Sequence, residues 1–464
     1  MDFGKQHRHI MFQLLPLLFL VIAILVGTLN INTIRQLLIG AFGQSANIVI
    51  NTQAVVGPMH FPWQNLSQGG EDKNWRMTPL ISAVRAVDTQ YVRLDHIYDF
   101  YDIVHGSPGN LTFDFSKLDP VIHDITASGA KPFIALSYTP PAIAVNGDIT
   151  APPANYADWQ LTVQKTIEHI SGTLGISDAY YEVWNEPDLF GGYKTYGSRN
   201  YIDLYRAAAH GALNAHGVQP FKIGGPAITA LYKNWVDDLM KAVTAENLPF
   251  DFFSWHRYST SIDQYRSDVA LIRQWMAPYP RGQHIELDIT EWGHNSNNDP
   301  GYDSTFGAIH TIAVGTELAQ TVDKAFVFEI QDGKDPNGQT LWGRWGLFDI
   351  TGQPKPRYSA LKFLNKLGQT QVQLTGRGTW VKGIATRDGF DTTAILANYD
   401  PAWQHSEVTP VTFTNITPGT YTITQERFGG VNNVQTIATT SSELEINVPM
   451  SINSAVFIRL HQTQ

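Results

Sequence analysis

Two glutamates stand where apolar, β-rich runs end: Glu186 in YYEVWNEPD and Glu291 in ELDITEWG. A pair of strand-end carboxyl groups facing one cavity can cleave a glycosidic bond. One protonates the departing oxygen while the other attacks or stabilises the anomeric carbon. Their spacing decides the stereochemistry: about 5 to 5.5 Å gives retention, and about 6.5 to 9.5 Å admits a water and gives inversion. Alternation puts Glu182 on the same face as Glu186 and so toward the same interior. In the second run, alternation groups Glu291 with Ile285, Leu287 and Ile289 and sets Glu286 and Asp288 opposite. An inward Glu291 therefore requires a twist or bulge at the strand end. Glu182, Glu286 and Asp288 are expected to be structural.

Such residues need a scaffold that gathers strand ends. Short β-rich runs alternate with helical patterns between Asn47 and Leu367, which predicts βα units and a parallel sheet. The strands are expected at Asn47–Thr52, Tyr91–Leu94, Pro132–Ser137, Tyr180–Trp184, Lys222–Gly224, Phe252–His256, Ile285–Thr290 and Ala325–Ile330. Eight strands predict an α/β fold, the (β/α)8 TIM barrel, over residues 47–367, with reactive groups at the C-terminal strand ends. After Gly368 helices vanish and alternating runs such as TYTITQ and LEINV recur, so residues 368–464 predict an antiparallel β-sandwich.

Strand-end logic nominates His60 and Trp63 after strand one, Asp95 and His96 after strand two, and Trp292 beside Glu291. Trp342 and Trp345, after strand eight, are candidate sugar platforms. The histidines show no metal-ligand spacing, so neither a metal nor another cofactor is expected. The formal charge of -10 offers no footprint for nucleic acid. Absence of cysteine excludes disulfides, thiolate metal sites and cysteine nucleophiles.

From Ile10 to Leu29 the chain carries no formal charge, and Lys5 and Arg8 precede it. That pattern predicts a transmembrane helix within an anchor and connector over residues 1–46, with the remainder outside the cell. A cleaved signal peptide is the alternative, and it leads to a secreted protein.

The run Trp184-Asn185-Glu186-Pro187, with a glutamate ending strand seven, resembles glycoside hydrolase clan A, and within it family 39. Tyr91-Val92-Arg93, FDFSKLDPVIHDITASGAKPFIALSYTPPAI (Phe113–Ile143), Phe252–Tyr258 and GLFDITGQPKPRYSAL (Gly346–Leu361) are similar to the family's segments in the family's order. The resemblance implies a retaining glycosidase acting on carbohydrate, either β-xylosidase-like or cutting an exopolysaccharide. A glycan-binding barrel without hydrolysis and a transglycosylase are the alternatives. It implies Glu186 as acid/base, Glu291 as nucleophile, Asn185 on the sugar 2-hydroxyl, Arg93 beside Glu291, and His256 and Tyr258 lining the site. The chain departs from the family where Phe328 replaces a strand-eight Trp, with Asp332 four positions on, and where Gly293 replaces an Asn.

Overall fold

The computed structural model describes residues 43–70, 72–319 and 321–463. Eight parallel strands close into a barrel in sequence order: Asn65–Gln68, Tyr91–Leu94, Lys131–Leu136, Ala179–Val183, Phe221–Ile228, Phe252–Tyr258, Glu286–Gly293 and Lys324–Phe328. Amphipathic helices surround it. In Tyr201–Asn214 the Asn200 side chain caps the N-terminus by accepting from Ile202 N, while Leu204, Tyr205 and Ala208 are buried, at the spacing of one helix face.

The first barrel strand differs from expectation. The run expected there lies in Ile48–Pro58, which pairs antiparallel with Thr370–Thr375 and parallel with Glu407–Thr414. Its burial explains the choice: Ile48, Ile50 and Thr52 are buried while Val49 and Asn51 are only half-buried. Such alternation suits a sheet with one face on a core, whereas a parallel barrel strand is covered on both faces. The true first strand, Asn65-Leu66-Ser67-Gln68, is buried at every position although three of its side chains are polar.

Ile48–Pro58 thereby completes a nine-stranded sheet whose other members all come from residues 370–463. That sheet wraps a separate core including Ile50, Leu396, Phe413, Ile423, Val448 and Ile458. Helix Thr305–Leu318, buried from Phe306 to Leu318, lies between barrel and sheet, with the Phe306 ring 5.3 Å from Tyr399 and 5.4 Å from Trp403. Among the described residues no helix is long and apolar enough to cross a membrane. The stretch Ile10–Leu29 lies outside them.

The barrel interior is layered. Near the N-terminal strand ends Phe133 packs on Phe326, Tyr180 and Phe252 with ring centroids 4.6 to 5.2 Å apart. Beside this aromatic layer Glu286 pairs with Lys222 and, at 2.8 Å, with Lys324. Above it lies Asp288, fully buried, without a hydrogen-bond partner for either carboxyl oxygen among the described residues. Burial pushes its pKa up to about 8, against the pull of Lys324.

Candidate active site

At the C-terminal end of the barrel opens a cavity of about 860 Å³ whose walls include Asn185, Glu186, Tyr258 and Glu291. Strand seven reaches it through an irregularity. Ile289 pairs with Trp255 but Glu291 pairs with His256, so Thr290 is an extra residue in the register. This bulge inverts the phase of side-chain alternation. Glu286 and Asp288 point into the barrel, Leu287 and Ile289 toward the helices, and Glu291 inward again. Glu186 is set differently. Trp184 and Glu186 adopt φ of 75° and 46°, a left-handed backbone unfavourable for side-chain-bearing residues. The turn is pinned by Glu186 N donating to Ala227 O at 2.9 Å.

Arg93 organises the floor. Its Nη1 donates to Glu291 Oε1 at 2.9 Å, its Nε to Glu182 Oε2 at 2.7 Å and its Nη2 to Asn185 Oδ1 at 2.7 Å. Tyr258 donates its hydroxyl to Glu291 Oε2 at 2.9 Å. Asn185 in turn donates to the Tyr138 hydroxyl at 3.0 Å. The His256 Nδ1 lies 2.8 Å from Glu186 Oε1 and 3.5 Å from Glu291 Oε2, so one imidazole nitrogen touches both carboxyl groups. Burial raises the Glu291 pKa, and His256 and Arg93 oppose it. For His256 burial alone would lower the pKa, but the facing Glu291 and Glu186 outweigh it and the net shift is upward.

Glu186, His256 and Glu291 also offer ligand atoms within 4.8 Å of one another, the one metal-like grouping among the described residues. The Arg93 guanidinium on Glu291 would repel a cation there, and the donors already in place serve a free carboxylate.

His96 lines the cavity, held by Asp99 at 2.9 Å through Nδ1. Five candidate residues do not line it. His60 and Trp63 precede the true first strand and so lie at the opposite end of the barrel. His60 borders a separate recess there with Tyr91, Tyr180 and Glu286, and the buried Trp63 donates to Asn365 Oδ1 at 3.0 Å. Trp292 alternates outward from Glu291 into the helix layer, edge-on to Tyr265 at 6.2 Å. Asp332 is buried beneath the loop that follows strand eight. It accepts from Lys355 Nζ at 2.8 Å and from Gly346 N at 2.6 Å, and so anchors the segment that carries Arg344 and Trp345 into the wall. Trp342 borders a neighbouring recess instead.

Tyr138, Phe190, Arg257 and Asn297 line the cavity as well without having been singled out from sequence. Tyr138 follows strand three, and the strand-end rule applied there would have found it. Phe328 is in the wall, 5.3 Å from Trp345. Gly293 is accounted for by crowding: a Cβ there would sit 2.3 Å from the Tyr302 hydroxyl.

The model of the glycosyl hydrolases family 39 matches residues 65–400. The chain is 28% identical over 323 residues to a beta-xylosidase of Caldicellulosiruptor saccharolyticus, covering 63% of this chain and 65% of that one. It is 27% identical over 302 residues to a beta-xylosidase of Geobacillus stearothermophilus, covering 57% and 58%. The match thus spans less than two thirds of either relative. Among solved structures, the GH39 enzyme from Xanthomonas axonopodis pv. citri superposes with TM-score 0.74 at 20% identity, over 91% of this chain and 99% of that one. A monomeric beta-xylosidase from Caulobacter crescentus CB15 gives TM-score 0.74 at 20% identity, over 90% and 100%. These likenesses establish the shared fold, and the family match takes in every barrel strand and both glutamates: the chain belongs to the glycosyl hydrolases family 39.

Proposed function

We propose that the protein is a retaining glycosidase that cleaves O-glycosidic bonds by double displacement, with Glu291 as nucleophile and Glu186 as acid/base. The observation that carries this reading is the single His256 nitrogen in reach of both carboxyl groups, at 2.8 and 3.5 Å. Ligand atoms within 4.8 Å of one another support the short separation of retaining enzymes rather than the wider spacing that admits a water.

The donors divide the roles. Glu291 receives Arg93 and Tyr258 on separate oxygens, an arrangement that holds an ionised carboxylate in position for attack on the anomeric carbon. Glu186 transfers its proton to the departing oxygen, then takes one from the water that releases the sugar from Glu291. Asn185, held by Arg93 and Tyr138, bonds the sugar 2-hydroxyl in this reading.

Incubation with an activated 2-deoxy-2-fluoro glycoside, followed by peptide mass spectrometry, is expected to find the sugar on Glu291. Labelling at another residue overturns the assignment. A β-xyloside-like substrate is supported by the two beta-xylosidase relatives. An extracellular site, with the barrel held at the membrane, is supported by the uncharged Ile10–Leu29 stretch after Lys5 and Arg8.

A further inference from the structure

The two sides of the cavity differ in chemistry. Beyond Asn185 and Glu186 the cavity is lined by Asp188, Leu189, Phe190, Thr229, Ala230 and Tyr232, and elsewhere by Asn297, Arg344 and Trp345. Leu189, Phe190 and Tyr232 are 61%, 40% and 41% exposed. Exposed apolar side chains scattered singly need no explanation, but these three line one cavity together, as residues of a binding surface do.

This set is fixed to the proton donor. Leu189 N and Phe190 N both donate to Glu186 O, at 3.0 and 2.7 Å, so one turn carries the acid and the apolar pair. The Phe190 ring is braced 5.6 Å from Tyr138, and its carbonyl accepts from Trp184 Nε1 at 2.9 Å. Polar groups nearby are engaged with each other: Asp188 accepts from Thr229 N at 3.0 Å and from the Thr229 hydroxyl. With Asp188 and Thr229 half-buried and bonded to each other, the most exposed side chains on this side are Leu189, Phe190 and Tyr232.

The group next to the acid/base in a double displacement is the one that leaves, because its oxygen receives the proton. We infer that the leaving-group side of this cavity is built for an apolar aglycone, an alkyl or aryl group, rather than for a further sugar. The inference rests on the assignment of Glu186 as proton donor. An apolar aglycone covers Leu189, Phe190 and Tyr232 and gains by removing their surface from water. A sugar in the same place would find few partners for its hydroxyls.

Calorimetric titration of the full-length Glu186→Gln protein, in which turnover is blocked, with hexyl and methyl β-D-xylopyranoside tests this. The hexyl glycoside is expected to bind about tenfold more tightly and with a more negative heat-capacity change. Leu189→Asn combined with Phe190→Ser is expected to abolish the preference. Equal affinities, undetectable binding of the hexyl glycoside, or a preference that survives both substitutions overturns the inference. Labelling of Glu291 is read separately on unmodified protein. A labelled Glu291 without hexyl preference therefore defeats the aglycone inference alone, and hexyl preference without labelling defeats the retaining mechanism alone.

Discussion

Arg93 sets the charge balance of the pair. It is fully buried and bonded to Glu291, Glu182 and Asn185, and its attraction opposes the upward push of burial on Glu291. Removing that cation leaves burial less opposed, so Glu291 ionises at higher pH. Arg93→Met is expected to move the acid limb of the kcat/KM profile upward by about 1–2 pH units, read as an apparent value of the coupled pair. An unmoved limb would show that Arg93 does not set it. Tyr258→Phe removes one hydrogen bond to a charged group, which corresponds to a fall in kcat on the order of 10–100-fold. Steady-state kinetics checks it, with the melting temperature showing that the fold persists. At this scale the sequence was most legible through the resemblance to family 39. It implied Arg93, Asn185, His256 and Tyr258, and all four meet around the two glutamates. His60 and Trp63 were misplaced because the strand they precede is Asn65-Leu66-Ser67-Gln68, whose polar composition hides it.

Strands and loops add what single residues do not show. The bulge at Thr290 was anticipated from parity, since Glu291 shares a face with Leu287 and Ile289 unless one residue is inserted. It also explains Trp292: once Glu291 turns inward, its neighbour must turn out. The loop after strand eight gave no such signal, because Asp332 pairs with Lys355 from a distant segment. Asp332→Asn weakens that anchor, and KM is expected to rise several-fold with a smaller change in kcat, since the segment it holds carries Arg344 and Trp345 into the cavity wall. Equal loss in both constants would place Asp332 in the chemistry instead. Asp288 lies inside the barrel with a pKa raised from 3.8 to about 8. The folded state therefore holds a proton that the unfolded chain releases between those values. The stability from this group is complete below pH 3.8 and lost as pH rises through 8. Asp288→Asn is expected to flatten that dependence and to stabilise the protein at pH 8 on the order of 2 kcal/mol. Urea unfolding at pH 5 and pH 8 measures it, and an unchanged difference between the two would refute it.

For the whole molecule, barrel and sandwich were both foreseeable, the first from alternating βα patterns and the second from the loss of helices after Gly368. Their junction was not. The apolar opening Ile48-Val49-Ile50 reads in sequence as a barrel strand or a sandwich strand, and the choice depends on partners more than 300 residues away. Deleting residues 43–58 should open a slot between Thr370–Thr375 and Glu407–Thr414 and uncover Val411 and Phe413. Limited proteolysis is expected to cut within residues 400–460 of the shortened chain and to spare them in the full one. The same arrangement has a mechanical consequence. A force applied to the polypeptide ahead of residue 43 is taken up in shear by hydrogen bonds on both sides of Ile48–Pro58. The nine-stranded sheet thus acts as a clamp that isolates the barrel, and the geometry of Glu186 and Glu291, from tension on the chain.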